Sequence, residues 1–236
     1  MSATGILSHA GNFHISGDYT ITEGFYGNGL VEFKLLPYGI VASSGTINCS
    51  DAEFYNLGGI ISPFGLSSVG IKLISDAGSP PIANVDGIDD DRPAFHDMRY
   101  GIHSQRGFLT AENITMEEVE LGIWVDQNYY KQKLVTNNII SKGYGIFAEN
   151  NYGMGSEVVS NEIEILNPVA WADRPTCIAV SGNRGLWDYD DNILRVSDGL
   201  SGFDCNESRL QRITNNLAIL PDNLATDGFF TTANNS

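Results

Sequence analysis

Two pairs of an aromatic and an acidic residue, with the same spacing, are the residues of this sequence best suited to chemistry. Trp124 and Asp126 form the first pair, and Phe147 and Glu149 form the second. Residues two apart in a β-strand point to the same side, so each pair sets a ring beside a carboxyl group. Such rings stack on the faces of pyranose sugars, and carboxyl groups hold sugar hydroxyls or act as acid and base. The pairs therefore indicate a glycan-binding or glycan-cleaving surface.

The two carboxyl groups are candidate catalytic residues if the pairs lie on neighbouring strands. Such strands would hold Asp126 and Glu149 about 5 Å apart, the separation found in retaining glycosidases. His103 takes the position of Trp124 one repeat earlier. His103, Trp124 and Phe147 are therefore the candidate ligand-binding residues.

A plainer interpretation of the same residues stays open. An inserted loop or a neighbouring subunit would cover the two rings, and the two acids would end their strands in solvent or share a cation. It is favoured by Gln127-Asn128 and Asn150-Asn151, which directly follow the acids and are typical of turns.

A separate acidic run, Asp89-Asp90-Asp91, is a candidate calcium site. Calcium prefers several carboxylate and carbonyl oxygens, but consecutive residues rarely all face one ion, and the spaced ligands of an EF-hand are missing. A solvated acidic loop is the alternative. Apart from this Ca²⁺, the sequence predicts no cofactor.

The elements that must position these residues form a repeat. Its first half is a small residue followed by an apolar one, at Gly101-Ile102, Gly122-Ile123, Gly145-Ile146, Cys177-Ile178 and Gly202-Phe203. Its second half is a polar pair before an aliphatic residue, at Glu112-Asn113-Ile114, Asn137-Asn138-Ile139, Asn161-Glu162-Ile163, Asp191-Asn192-Ile193 and Asn215-Asn216-Leu217. A period of roughly 25 residues is typical of solenoids, in which each repeat packs on the next.

Alternation within the strands assigns the faces. One interior column is expected at Ile102, Ile123, Ile146, Ile178 and Phe203. The outward columns are then His103, Trp124, Phe147, Ala179 and Asp204, and beside them Gln105, Asp126, Glu149, Ser181 and Asn206. The asparagines are expected at turns, where stacked amides link one coil to the next.

The predicted fold is all-β, a parallel β-helix with two loop insertions. Residues 1–36 are expected to form strands leading into the solenoid, residues 37–220 the solenoid, and residues 221–236 a tail or the start of a further coil. Proline, glycine and aspartate place the insertions at residues 75–93 and 167–175. No segment shows the apolar period of a helix of ordinary length.

The composition of the chain argues against two classes of binding partner. The formal charge is −16, with 29 acidic and 13 basic residues, which argues against nucleic acid or an anionic membrane as a partner. No stretch is apolar for long enough to cross a bilayer, and the first residues lack the features of a signal peptide. We expect an extracellular or cell-surface chain that is part of a longer protein. Cys49, Cys177 and Cys205 are expected to be small buried residues.

Three patterns in the repeat resemble a known family. They are Phe-x-x-x-x-Tyr-Gly-Ile from Phe95 to Ile102, Asn137-Asn138-Ile139, and Gly202-Phe203-x-Cys205-x-x-Ser208. Together they resemble the right-handed parallel β-helix repeats of the pectin-lyase-like superfamily, and more narrowly the repeats of large secreted surface proteins of Bacteroidota. The resemblance implies the fold and says little about chemistry, because the superfamily includes lyases, hydrolases, phage tailspikes and adhesins.

The enzyme signatures of that superfamily are mostly missing. The two Arg-Pro pairs, at Arg92 and Arg174, lie in the expected insertions without the surrounding lyase pattern. Of the Asn-Thr-Asp, Asp-Asp and His-Gly signatures of polygalacturonase-like hydrolases, this chain has only Asp-Asp.

The sequence therefore favours a surface or fibre-forming structural or adhesive module that contacts glycans or neighbouring subunits. The alternative is a polysaccharide lyase or glycoside hydrolase on the same outward face, including a depolymerase similar to a phage tailspike.

The calcium interpretation of Asp89, Asp90 and Asp91 predicts that a chelator lowers the midpoint of thermal unfolding. An ion that binds only the folded state stabilises that state by mass action. Calorimetry with and without chelator measures the effect, and an unchanged midpoint supports the solvated loop.

Overall fold

The computed structural model describes the backbone of twelve segments of the chain. They are residues 13–16, 19–21, 31–34, 38–50, 52–55, 69–75, 80–88, 92–169, 172, 174–197, 201–221 and 227–232. Within them the structure is all-β, as predicted: it contains strands and no helix, and every strand pairing is parallel. No helix in this described part is long and apolar enough to span a bilayer.

The strands of the first half of the chain are short. They are β1 (Phe13–Ser16), β2 (Tyr19–Ile21), β3 (Val31–Lys34), β4 (Tyr38–Ser44), β5 (Thr46–Cys49), β6 (Ala52–Tyr55), β7 (Val69–Ile74), β8 (Ile82–Asp86), β9 (Phe95–His96), β10 (Tyr100–Gln105) and β11 (Phe108–Glu112). The second half has β12 (Thr115–Asp126), β13 (Gln132–Val135), β14 (Asn138–Glu149), β15 (Ser156–Val159), β16 (Glu162–Ile165), β17 (Thr176–Ser181), β18 (Trp187–Asp190), β19 (Ile193–Val196), β20 (Ser201–Asn206), β21 (Gln211–Thr214), β22 (Leu217–Ile219) and β23 (Asp227–Thr232).

These strands form three stacks, and the chain adds one strand to each stack in turn. We call one such passage through the three stacks a coil. The first stack runs β1-β4-β7-β10-β12-β14-β17-β20-β23, the second β2-β5-β8-β11-β13-β15-β18-β21, and the third β3-β6-β9-β12-β14-β16-β19-β22. The long strands β12 and β14 belong to both the third and the first stack, which they join into one 15-stranded sheet. This topology is compatible with a solenoid.

The first stack confirms the predicted columns. Ile102 pairs with Ile123, which is followed in register by Ile146, Ile178 and Phe203, and all five are fully buried. Like side chains therefore pack on one another along the stack and form the spine of the core. The stacked rings of Phe54 and Phe95, with centroids 4.7 Å apart, confirm that the repeat begins before residue 95.

The small residue before each of these apolar residues is required by the corner between the third and first stacks. A Cβ atom on Gly145 would lie 2.2 Å from Cγ2 of Ile163 and 2.7 Å from the carbonyl oxygen of Cys177. At Gly122 and Gly145 the backbones of successive coils come too close for a side chain, whereas the level of Cys177 accepts a small one. Cys49 and Cys177 are buried, as predicted, and Cys205 is half-buried.

Asparagine side chains, three of them buried, connect the coils at the corner between the second and third stacks. The ladder consists of Asn137, Asn161, Asn192 and Asn216, and each of the first three donates from Nδ2 to Oδ1 of the next at 2.9, 2.9 and 2.7 Å. The same Oδ1 atoms accept the backbone N–H of the preceding ladder residue at 3.0, 3.0 and 2.9 Å. The residue before each asparagine has a positive φ, which turns the amide inward.

A second ladder lies at the corner between the first and second stacks. Asn128, Asn151 and Asn183 accept in the same way, and Ser208 ends the series by accepting the backbone N–H of Asn183 at 3.0 Å. The predicted turns after Asp126 and Glu149 are confirmed, because Gln127 and Asn150 have φ of 50° and 52°. Stacked amides thus link the coils, as the sequence indicated.

The predicted register of the polar pairs is wrong at two of the four steps between repeats. Asn137 aligns with Ile114, so Ile139 pairs with Met116 rather than with Ile114. Asn161 aligns with Asn192, so Ile163 pairs with Leu194, and Ile193 and Leu217 lie on the outer face. A slip of one residue reverses the face of every side chain. Runs such as Asp191-Asn192-Ile193-Leu194 fit either choice.

The first of the two predicted insertions is also wrong in its extent. Residues 75–93 contain β8, which pairs with β5 and β11 and is a regular member of the second stack. Its alternating exposure, with Ala83 and Val85 buried between outward residues, is the ordinary strand pattern, hidden in the sequence by flanking proline, glycine and aspartate. The described residues between β16 and β17 contain no strand, in agreement with the second insertion.

Replacing Asn161 with alanine is expected to lower the free energy of unfolding by about 3 kcal/mol, because buried partners above and below lose their hydrogen bonds. Its side chain accepts from Asn137 and donates to Leu134 O and Asn192 Oδ1. Asn138→Ala is the matched control, since this neighbour is exposed. Urea unfolding at unchanged m-value measures both, and equal losses would contradict the ladder's role.

Candidate functional site

The structure brings the predicted ligand-binding residues together on the outer face of the first stack. His103, Trp124 and Phe147 occupy the same register position on β10, β12 and β14. The rings of His103 and Trp124 have centroids 4.1 Å apart and are inclined by 6°, and those of Trp124 and Phe147 are 6.3 Å apart and inclined by 13°. The three side chains therefore form one ring column along the stack.

The ring column presents ring edges, and not ring faces, to the outside. Each ring plane lies across the stacking direction, so the face of Trp124 toward β10 is covered by the imidazole of His103. Tyr100 and Tyr144 flank the column, with centroids 5.8 Å from Trp124 and 5.2 Å from Phe147. Sugars that stack on a ring face would have to displace a neighbour, whereas contacts to ring edges need no movement.

Two nitrogen atoms of the ring column are buried without a hydrogen-bond partner in the described part of the chain. They are Nε1 of Trp124, which is a donor, and Nε2 of His103. Buried polar groups of this kind are rare in folded proteins. Similar atoms occur elsewhere in the described residues, at Gln132 and Trp187 among others, so it is the register and the contacts of the three rings that mark this level of the stack as the candidate site.

His103 is an uncharged member of the column. Its side chain is almost fully enclosed, with 7% of the residue exposed, and Lys72 precedes it in register on β7. Burial and then the charge of Lys72 lower the pKa of His103 to about 4. The imidazole is therefore neutral near pH 7 and packs against Trp124 as an uncharged ring.

The predicted acid pair also lies in register, on the last residues of β12 and β14. Asp126 is buried and accepts a hydrogen bond from Nε2 of Gln105 at 3.0 Å. Burial raises the pKa of the Asp126 carboxyl, against the opposing effects of Gln105 and Arg106. Burial and the charge of Asp126 raise the pKa of Glu149. Both carboxyls thus retain a proton to higher pH than in water.

Three residues of this surface were not singled out from the sequence, although two of them carried a signal. Tyr100 and Tyr144 directly precede the glycine of their repeats, so the same columns that located Trp124 could have located them. Gln105 stood in the predicted outward column, but its role as the partner of Asp126 depends on side-chain conformation, which the repeat does not encode.

The column changes character after Phe147. Ala179 and then Asp204 follow in register, and Arg174 lies 3.8 Å from the Asp204 carboxylate. Burial raises the pKa of Asp204, and Arg174 opposes the shift. Among the described side chains of this column, aromatic contacts occur at the levels of β10, β12 and β14.

The calcium hypothesis concerns residues whose structure is not described, because Asp89, Asp90 and Asp91 lie outside the described ranges. Elsewhere, the described residues contain no group of three or more His, Cys, Asp and Glu side chains able to hold a metal ion. The hypothesis stays a prediction.

Comparisons of the chain with protein-family models, with curated proteins and with solved structures give no match.

Between pH 7 and pH 4, His103 is expected to reduce stability by about 3 kcal/mol, since one pKa unit corresponds to 1.36 kcal/mol. The folded state keeps this ring neutral down to a pKa of about 4, whereas the unfolded chain protonates it near 6.5. The unfolded state binds more protons in this window, so the free energy of unfolding falls as the pH is lowered. Asp126 and Glu149 act in the opposite direction, because their pKa values are raised.

The contribution of His103 is isolated by comparing the wild type with His103→Gln across this pH range. Their difference in unfolding free energy should change by about the same amount between the two ends. NMR titration of the ring gives the pKa directly, and a value near 6.5 would contradict the enclosed neutral imidazole.

Proposed function

We propose that the chain is a right-handed parallel β-helix that serves as an extracellular surface or fibre-forming module and binds glycans on the outer face of its first stack. The observation that carries the proposal is the register of His103, Trp124 and Phe147 beside Asp126 and Glu149 on three adjacent strands. The right-handed sense follows from the strong preference of parallel strand connections.

The structural part of the proposal is supported by the links between coils. Hydrogen-bonded amides run along two corners of the stack, and nearly every interior position is filled by an apolar side chain. Such a stack resists bending and shear because each coil is bonded to the next by backbone and side chains together. Stiffness of this kind suits a module that spaces or presents other parts at a surface.

The glycan-binding part is supported by what the face can offer to a sugar. Ring edges lie next to two carboxyls, which can accept hydrogen bonds from hydroxyls. A glycan would lie against the edges of the ring column with its hydroxyls toward the acids. Neutral or hydroxyl-rich sugars fit better than acidic ones, because this face holds two acids beside a neutral imidazole.

Extracellular or surface location, and kinship with the surface proteins of Bacteroidota, belong to this proposal as well. They are supported by the resemblance of the repeats and by the net charge of −16, which is suited to a protein surrounded by solvent.

A second candidate function is favoured by the acid pair. A retaining glycosidase needs one carboxyl that is protonated and one that is ionised, about 5 Å apart. Asp126 and Glu149 are paired in register, and burial and the Asp126 charge keep a proton on Glu149 to higher pH. Glu149 would be the acid and Asp126 the nucleophile, as in a depolymerase similar to a phage tailspike. The hydrogen bond from Gln105 argues against this candidate, because it already engages the Asp126 carboxyl that would act as the nucleophile.

A glycan array followed by a degradation screen tests both functions on the purified chain. Binding without cleavage is expected, and Trp124→Ala should weaken it at least tenfold, because the ring column loses its central member. If the chain cleaves a glycan, Asp126→Asn and Glu149→Gln should each lower the rate by about 100-fold or more.

Asp188→Asn and Glu157→Gln are matched controls, since these acids lie on the outer side of the second stack and pair with Arg212 and Lys131. Cleavage retained in either site variant overturns the enzymatic candidate. Failure of the chain to bind any glycan on the array overturns the binding proposal.

A further inference from the structure

A second surface lies at the corner between the first and second stacks, away from the ring column. Four exposed residues at this corner form what we name the Tyr–Arg strip: Tyr129, Tyr152, Arg184 and Arg209. Each of them directly follows a member of the second ladder. The backbone N–H groups of the last three donate to Asn128, Asn151 and Asn183 of the preceding coil at 2.7, 2.8 and 2.8 Å. One member of the strip therefore lies on each of four successive coils.

The strip and its surroundings are unusually apolar for an exposed corner. Tyr129 and Tyr152 are 63% and 41% exposed, and their rings stack with centroids 5.1 Å apart. Met154, Leu186 and Leu210 lie beside the strip and are 60%, 38% and 60% exposed. Tyrosine, methionine and arginine are the residues enriched in protein interfaces. A contiguous patch of this composition is typical of a surface that another protein covers.

The backbone presents the strip in a fixed conformation. A Cβ atom on Gly153 would lie 2.2 Å from Tyr130 O, and one on Gly185 would lie 1.9 Å from Gly153 O. The turns are thus packed directly on one another, so the exposed side chains are held by a rigid base. Little backbone entropy is lost when such a surface binds.

The charge of the strip differs from that of the molecule. Most basic residues of the described part pair with acids, often across coils, as Lys131 does with Glu157 and Arg195 with Glu162. Arg184 has no carboxylate within ion-pair distance among the described residues, and its guanidinium lies 6.0 Å from the ring centroid of Tyr152. A partner that covers the strip would therefore have to supply acceptors opposite Arg184 as well as apolar surface.

The geometry points to a second copy of this chain as the partner, in an antiparallel dimer formed by two Tyr–Arg strips. In such a dimer the two-fold axis crosses the strip between the levels of Tyr152 and Arg184, at right angles to the stacking direction. Tyr152 then faces Arg184 of the second copy, and Tyr129 faces Arg209 of the second copy. Each guanidinium donates to a tyrosine hydroxyl oxygen, and each of these contacts occurs twice, as an isologous interface requires.

The order of residues along the strip decides between the two ways of pairing copies. If the copies were parallel, Arg184 would face Arg184 and Arg209 would face Arg209, which sets like charges together. The antiparallel arrangement avoids this and also brings Met154 level with Leu186 of the second copy, because the flank of the strip stays on the same side. Apolar flanks thus meet apolar flanks.

This inference rests on the proposed function in one respect, namely that copies of the chain associate. It does not depend on glycan binding, which involves the ring column and the acids at the ends of β12 and β14 but none of the four residues of the strip. Loss of one property with retention of the other is therefore readily recognised. Because a stable interface needs about 800 Å² from each partner and the strip spans only about 15 Å along the stack, we expect a dissociation constant in the micromolar range.

Sedimentation velocity over a concentration series tests whether the dimer forms. A monomer–dimer equilibrium is expected, and Arg184→Glu should raise the dissociation constant at least tenfold. Arg195→Glu is the control with the same change of charge on the third stack, and it should leave the equilibrium unchanged. A monomer at every concentration, or equal effects of the two substitutions, overturns the proposal.

Disulfide trapping tests the orientation. Two variants, Tyr129→Cys and Arg209→Cys, are prepared in a Cys205→Ser background, because Cys205 is the half-buried cysteine of the described part. The antiparallel dimer predicts rapid cross-linking only when the two variants are mixed. Cross-linking within each variant alone would show the parallel arrangement, and a mixture that cross-links no faster than either variant alone would exclude contact through the strip. Far-ultraviolet circular dichroism and the midpoint of thermal unfolding, measured on the same samples, show whether each variant is folded.

Discussion

Hydrogen bonds that asparagine side chains make between successive coils are the interaction on which the rest of this structure depends. Each ladder amide accepts the backbone N–H of its counterpart in the preceding coil, as Asn192 does for Asn161 and Asn183 does for Asn151. The two ladders lie at both ends of the second stack, so the short strands between them have no freedom to slide. Register in the second stack then fixes where the chain enters the first and third stacks. Side chains align into columns along the stacks because this register is fixed.

The ladders also explain how the stack tolerates a coil of unequal length. The chain between Asn161 and Asn192 includes the long connection after β16, yet their amides meet at 2.9 Å, as in coils without an insertion. The additional residues belong to the connection from β16 to β17, and the hydrogen bond between the two asparagines is kept. Loop closure costs little for a few added residues, whereas a broken rung leaves buried groups without partners. Selection on such a chain can therefore vary connections more freely than rungs.

The sequence could predict the first stack because its corner accepts only a small residue followed by an apolar one. Gly122-Ile123 and Gly145-Ile146 leave no second alignment, and the outward positions of Trp124 and Phe147 follow from them. The corners that contain the asparagine ladders were harder to predict, because each ladder asparagine has other polar residues as neighbours in the sequence. In Asn161-Glu162 and Asp191-Asn192 either member fits a turn, and the wrong choice reversed the face of Ile193. The strand β8 was missed for a related reason, because its neighbours are typical of loops.

The site could be predicted as a set of residues and not as a chemical environment. Periodicity places His103 and Trp124 in one column, but a short contact between their rings depends on rotamers and on Tyr100 beside them. The burial of Asp126 likewise comes from Gln105 and its other neighbours on the same face. In a stack of similar coils the backbone is nearly the same at every level, so the binding specificity of a surface depends on the sequence of side chains along the stacking axis. The ring column and the Tyr–Arg strip are two such series of side chains, and each extends over several coils.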